Sequence, residues 1–349
     1  MPGFALPRPP FDRQCAEVLA RLPDFPPLTV ESLDAVRRPP PGFDPPTDDD
    51  LARGGRVDVS RLTVPGPRGA PDVELVVCRP VAPSSARPIV YHAHGGGMIS
   101  GTPHMALPGV LDRAESLELV VVSVDYRLAP ETPFPGAVED CYAGLCWTAE
   151  HAADLGADAD RLVLAGESAG GGLTAALALL TRDRGGPVPA GLLLMAPMLD
   201  DRNDSASAHQ MAGVDTWDRT RNEFGWTALL GAARGGPDVS SYAAPARARD
   251  LTGLPPTYLD VGSAETFRDE VVDFAARIWH SGGRAELHVW PGGFHGFDVL
   301  APDAAISRDA RAARPRCWSP RTARGCSTRP RRHRRSCRRC RPGSTCWRP

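Results

Sequence analysis

The chain has 349 residues, 42% hydrophobic and 23% charged, long enough for one large α/β domain or two modest ones around a sizeable core. Its formal charge of −2 conceals two electrostatic regions: residues 311–349 hold 14 of the 40 basic residues and no acidic one, which leaves 26 basic against 42 acidic residues, a formal −16, in the body. An acidic body argues against nucleic acid or an anionic membrane as partner.

Residues 1–50 are proline-rich, with one helical pattern (Ala16, Val18, Leu19, Leu22) and an acidic cluster, Asp48-Asp49-Asp50. Such a segment cannot build a core alone. Met1 to Pro10 carries prolines where a secretory leader would carry an apolar run, and no stretch approaches a membrane span, so a cytoplasmic chain is expected. The four body cysteines, Cys15, Cys78, Cys141 and Cys146, have no disulfide-framework spacing and read as free thiols.

From Val57 the β signals begin: Val57 to Val64, Val73 to Cys78, Ile89 to His92, Leu119 to Val124, Arg161 to Leu164, Gly191 to Met195, Pro256 to Val261 and Ala285 to Val289. After Ile89 they alternate with helix-length segments, which predicts a mostly parallel sheet with helices on both faces. His94-Gly95-Gly96-Gly97 follows the third strand, and successive glycines let backbone N–H groups approach a substrate oxygen closely. No phosphate-binding glycine pattern follows them.

Gly166-Glu167-Ser168-Ala169-Gly170 joins the fifth strand to a helix-like run, Gly171 to Leu180. That is the setting of a nucleophile elbow, in which a serine hydroxyl stands clear of a sharp turn. Taken alone the pattern could be a plain glycine-rich turn. With the upstream glycines it points to acyl transfer.

The stretch from Asp200 to about Pro237 interrupts the strand–helix alternation and reads as a helical cap. Its Trp217, Phe224 and Trp226 suit either a substrate pocket or plain packing. Further on, His295 lies in a loop flanked by glycines, Gly292-Gly293-Phe294-His295-Gly296-Phe297. The candidate positions, His94, Ser168, Glu265 after the strand Pro256 to Val261, and His295, follow four different strands at their carboxyl ends, where ligands bind in open α/β sheets. The other histidines show no metal-ligand spacing, so no metal is expected.

Four stretches together, His94 to Gly97, Asp125-Tyr126-Arg127-Leu128-Ala129-Pro130-Glu131, Gly166 to Gly170 and Phe294-His295-Gly296-Phe297, resemble the hormone-sensitive-lipase-like family of α/β-hydrolase esterases over roughly residues 50–310. The resemblance implies an α/β-hydrolase fold with a mostly parallel central sheet, helices on both faces and a helical cap. It also implies a serine carboxylesterase of short to medium acyl esters, working without a cofactor on a small-molecule ester. By the same resemblance Ser168 is the nucleophile, His295 the base, and the N–H groups of Gly96, Gly97 and Ala169 the oxyanion hole. His94, Gly95 and Asp125 are then supporting residues, His94 holding the oxyanion loop and the run Asp125-Tyr126-Arg127 pinning the turn after its strand through a buried ion pair or hydrogen-bond network.

The family's triad acid is usually Asp, whereas the aligned position here is Glu265; Asp269 and Asp260 are the fallback candidates. Met98-Ile99 stands where the family often has an aromatic residue. An amidase or peptidase with the same triad, or a non-catalytic ligand-binding protein on this fold, are the rival readings, and the sequence is compatible with a homodimer. The expected organisation is an N-terminal cap segment (1–50), a catalytic domain (51–313) with its cap insertion at about 200–237, and a basic tail (314–349). A frameshifted end would account for that tail best, a disordered basic extension comes second, and a zinc site at Cys337, Cys340 and His333 last.

Overall fold

A computed structural model of the chain describes residues 7–23, 27–38, 45–82 and 86–314. The basic tail expected from residue 314 lies outside these residues, apart from Arg314 itself.

All eight expected strands form one sheet: β1 (Val57–Val64), β2 (Val73–Pro80), β3 (Arg87–Ala93), β4 (Val120–Asp125), β5 (Ala157–Glu167), β6 (Gly191–Met195), β7 (Thr257–Gly262) and β8 (Ala285–Trp290). Their spatial order is β1-β2-β4-β3-β5-β6-β7-β8. β2 runs antiparallel to β1 and β4, and every other pairing is parallel. The eleven helices of the described residues are α1 (Arg13–Leu19), α2 (Leu33–Val36), α3 (Asp48–Ala52), α4 (Leu107–Leu117), α5 (Gly136–Glu150), α6 (Ala169–Arg184), α7 (Ala206–Gln210), α8 (Arg219–Leu230), α9 (Arg268–His280), α10 (Phe297–Leu300) and α11 (Ala305–Ala313).

The strands of the centre are apolar on both sides, as a covered parallel sheet requires. In β4, Val120, Val122 and Val124 join one buried cluster with residues of α5, α6 and α9, whereas Val121 joins a second cluster with residues of α3 and α4. The period-two alternation of strand side chains thus divides one valine run between two helical layers. Helix α6 is sunk in the larger layer, with Ala169 to Thr181 all buried. Its all-round apolar sequence fits that position.

The N-terminal residues do not stand apart from this body. Asp12 caps α1 by accepting from the N–H groups of Gln14 and Cys15, and its own N–H donates to the Gly292 carbonyl at 3.0 Å. Phe11 meets Phe294 edge-on at 6.4 Å, and Cys15 is buried with Phe294 and Phe297. Arg37, just past α2, donates to the Ile99 and Ala129 carbonyls and pairs with both oxygens of Glu131. Leu51 of α3 belongs to the sheet's own core, so the expected boundary at residue 50 cuts through a helix of the body.

Arg314, expected to begin the tail, is instead buried in the body. Its Nε donates to Asp260 of β7 at 2.8 Å and its Nη1 to Asp298 of α10. Two carboxylates in a dry site require a cation, and a guanidinium serves both at once.

Candidate active site

Ser168 occupies the one-residue turn between β5 and α6, with φ 55° and ψ −121°. A non-glycine residue at positive φ costs of order 1–3 kcal/mol and persists only when its surroundings fix it. Three main-chain bonds do so: its N–H donates to the Met195 carbonyl at 2.8 Å, and its own carbonyl accepts from Gly172 and Met198. The hydroxyl is thereby carried at the N-terminal end of a buried helix.

Across the sheet edge, His295 stands in the loop between β8 and α10. Its Nε2 lies 3.0 Å from Ser168 Oγ, and its Nδ1 lies 3.2 Å from Glu265 Oε1. Glu265 is fully buried in the loop after β7, and its other oxygen accepts from the Gly262 N–H at 2.9 Å. The acid and histidine loops are stitched together: Ser263 N–H donates to Trp290 O, Ala264 N–H to Gly293 O, and Gly292 N–H to Ser263 Oγ. The edge of Phe267 lies against the imidazole, 5.1 Å between centroids. Burial would push the His295 pKa down, but the hydrogen bond and charge of Glu265, with the charges of Asp215 and Asp298, outweigh it and hold the ring above its ordinary value.

The two fallback acids are elsewhere. Asp269 accepts from Ser207 N–H and pairs with Arg268, and Asp260 is held by Tyr258 and Arg314. Of the three carboxylates weighed, Glu265 alone meets the imidazole.

The glycine loop sits beside Ser168 because the backbone there leaves no room for side chains. Gly96 has φ +111°, and a Cβ on it would fall 2.1 Å from the Ser100 carbonyl oxygen; Gly97 has φ +64°, and its Cβ would fall 2.1 Å from the Trp217 ring. Among the described residues, the N–H groups of Gly96, Gly97 and Ala169 donate to no protein acceptor.

His94 is buried and stacks on Tyr126 at 4.2 Å; its Nδ1 donates to the Gly95 carbonyl at 2.8 Å. Burial pushes its pKa down to about 4, so the ring is neutral at physiological pH. Tyr126 donates its hydroxyl proton to the His94 carbonyl at 2.7 Å. In the run Asp125-Tyr126-Arg127 the turn after β4 is held by Tyr126, through the His94 carbonyl, and by Arg127, through a bidentate pair with buried Asp140 of α5, while the Asp125 side chain is exposed.

One residue that the sequence reading passed over is Glu167, the variable position inside the elbow pattern. Its Oε1 accepts from the Gly95 N–H at 2.9 Å and its Oε2 from His92 at 2.8 Å, while the far nitrogen of His92 meets Ser123 Oγ at 3.0 Å. The side chain next to the serine therefore fixes the start of the glycine loop. An acidic residue between Gly166 and Ser168 was the signal available.

In the segment between β6 and β7, Trp226 is fully buried core, Phe224 is packed against that core, and Trp217 covers Gly97. Among the described residues no group of three His, Cys, Asp or Glu could hold a metal ion, and no helix is long and apolar enough to cross a membrane.

Residues 90–299 match a family model described as alpha/beta hydrolase fold. The chain is 35% identical over 246 residues to the carboxylesterase NlhH of Mycobacterium tuberculosis, covering 68% of this chain and 76% of that protein. It is 40% identical over 119 residues to human hormone-sensitive lipase, 34% of this chain and 11% of that much longer protein. Among solved structures, a bacterial heroin esterase superposes with a TM-score of 0.81 at 37% identity, over 88% of this chain and 96% of that one.

Proposed function

The chain belongs to the hormone-sensitive-lipase-like α/β-hydrolase family, and from that membership we propose that it is a carboxylic-ester hydrolase whose nucleophile is Ser168. The observation that carries this reading is the unbroken relay from Ser168 Oγ through His295 to Glu265, at 3.0 and 3.2 Å, with Ser168 held at positive φ on its turn. Ser168 Oγ attacks the ester carbonyl carbon as His295 Nε2 takes its proton. The tetrahedral oxyanion is received by the N–H groups of Gly96, Gly97 and Ala169, each worth about 3 kcal/mol of barrier. As the C–O bond to the alcohol breaks, His295 returns that proton to the leaving oxygen, and water repeats the sequence on the acyl-enzyme. Glu265 accepts the Nδ1 proton's hydrogen bond throughout, fixing the tautomer and balancing the imidazolium.

On this reading the N-terminal segment and the insertion carrying α7 and α8 form the cap, and the acyl groups taken are short to medium. Both segments reach the site from outside the sheet: Arg37 holds the glycine loop at Ile99, and Trp217 lies on Gly97. A fluorophosphonate probe should label the protein, and Ser168→Ala should lose both labelling and p-nitrophenyl ester turnover with the circular dichroism unchanged. Labelling that survives the substitution would overturn the nucleophile. Faster turnover of an anilide than of the matched ester would move the protein to the amidases, and absence of turnover in wild type would leave a binding protein.

A further inference from the structure

Three consecutive residues of the segment between β6 and β7, Asp215, Thr216 and Trp217, contact the His295 main chain, the residue after Glu265, and Gly97. Asp215 Oδ1 accepts from the His295 backbone N–H at 3.0 Å, and Thr216 Oγ1 donates to the His295 carbonyl at 2.6 Å. The carbonyl of Trp217 accepts from Thr266 Oγ1, next to Glu265, at 2.8 Å, and the Trp217 ring lies on Gly97. A histidine whose two main-chain groups are both held by the side chains of another segment has its ring position set by that segment. The rest of the sheet edge supplies no substitute for these two bonds.

We propose that Asp215 and Thr216 are positioning residues for His295, so that the base is seated against Ser168 and Glu265 only while the cap segment is docked. The proposal rests on the hydrolase reading above. A second observation concerns Asp215 Oδ2, which is buried and has no hydrogen-bond partner. Such an oxygen is costly and calls for an explanation. Burial pushes the Asp215 carboxyl up to about 7, against the opposing charge of His295, so the two groups titrate as a pair. The charged or polar groups facing His295 are Glu265 from the loop after β7, Asp298 from α10, Asp215 from the cap and the Ser168 hydroxyl from the elbow, with Arg314 behind Asp298. The carboxylate of Asp215 stabilises the imidazolium, and its loss must lower the His295 pKa.

Two substitutions separate charge from geometry. Asp215→Asn keeps an oxygen for the His295 N–H and removes the charge; Thr216→Val removes the donor and leaves the charge. The full chain is assayed on p-nitrophenyl acetate across pH, and the His295 ring is titrated by NMR, its signal identified by its loss in His295→Gln. Asp215→Asn should move the acid limb of kcat/KM and the ring pKa down by roughly 0.5–1 unit, because removing a neighbouring anion disfavours the charged imidazole. Thr216→Val should lower kcat by about tenfold with the acid limb unmoved, the scale expected of a sub-ångström displacement of the base, and Thr216→Ser should restore it. The exposed cap carboxylate in Asp204→Asn serves as the charge control and should change neither. Coincident pH profiles and ring titrations for wild type and Asp215→Asn, with Thr216→Val as active as Thr216→Ser, would overturn the proposal. A shifted ring titration in a protein that neither turns over esters nor takes the probe would sustain the seating of His295 and sink the hydrolase reading.

Discussion

The two halves of the site are held in different ways. The serine half is held from within the central sheet and its buried helix: Glu167 beside Ser168 holds Gly95 at the end of β3, His94 holds Gly95 from the adjacent position, and Ser168 is hydrogen-bonded to Met195 at the end of β6, to Met198 just after it and to Gly172 of α6. The histidine half is held by segments outside the sheet, by Asp215 and Thr216 of the segment between β6 and β7, by the N-terminal Asp12 at Gly292, and by Arg314 through Asp298. One half is preorganised by the fold's centre, and the other depends on its periphery. Damage to the periphery should therefore appear first in the base and only later in the oxyanion loop.

The sharpest break in the histidine half is Glu265→Gln. The amide can still accept from the Nδ1 proton but cannot balance an imidazolium, and kcat should fall by up to ~10⁴, the order found when a triad's orienting carboxylate is amidated. The sign of the pH effect follows from the ring's raised pKa. His295 must be neutral to act, so activity in wild type rises with pH through a value above the ordinary histidine range. Removing the Glu265 charge should move that limb to lower pH. A large loss in Asp269→Asn with Glu265→Gln unharmed would reassign the acid.

A smaller effect is expected from the serine half. Glu167→Ala frees the Gly95 N–H and His92 together, and loosening the glycine loop by a fraction of an ångström should lower kcat by about 10- to 100-fold. Because Glu167 does not face His295, the acid limb should stay where it is, and binding of a boronate that mimics the tetrahedral intermediate should weaken in step with kcat. A shift of the acid limb in this variant would show that the two halves are coupled through more than the substrate.

The same division explains what could be read from the sequence. Ser168, the glycine loop, His295 and all eight strands are visible because each is announced by local signals: glycines at fixed offsets, period-two runs, a loop flanked by small residues. Even β5 was found, although it begins four residues before the expected Arg161, at Ala157, where Ala and Asp give no β signal. Asp215, Thr216 and Arg314 carry no local mark. Their roles come from tertiary contacts across 80 and 16 residues, which no periodicity encodes. The run Asp125-Tyr126-Arg127 shows the limit of the local signal: its place in the turn was legible, but the ion-pair partner of Arg127, Asp140 in the next helix, was not.

The periphery's effect on stability can be tested at Arg314. Burial alone would raise the Asp298 carboxyl, but the charge and hydrogen bond of Arg314 hold it below its usual value. A carboxylate depressed in the folded state adds stability that is present above its unfolded pKa of about 3.9 and lost as pH falls through the folded value. Arg314→Met removes the cation and leaves Asp260 and Asp298 buried without it, a change that should cost about 3–5 kcal/mol at neutral pH. Without Arg314 the burial of Asp298 favours its protonated form, so the variant's deficit should shrink as pH falls from 7 toward 4. Denaturant melts at several pH values measure this directly, and Arg314→Lys, which keeps a charge but not the fork that spans both acids, should fall between. In the surviving folded fraction of Arg314→Met the loss of activity should exceed the loss in Glu167→Ala, because Asp298 lies three residues from His295 and its displacement moves the imidazole. A deficit that stays constant from pH 7 to pH 4 would show that Arg314 contributes by packing alone.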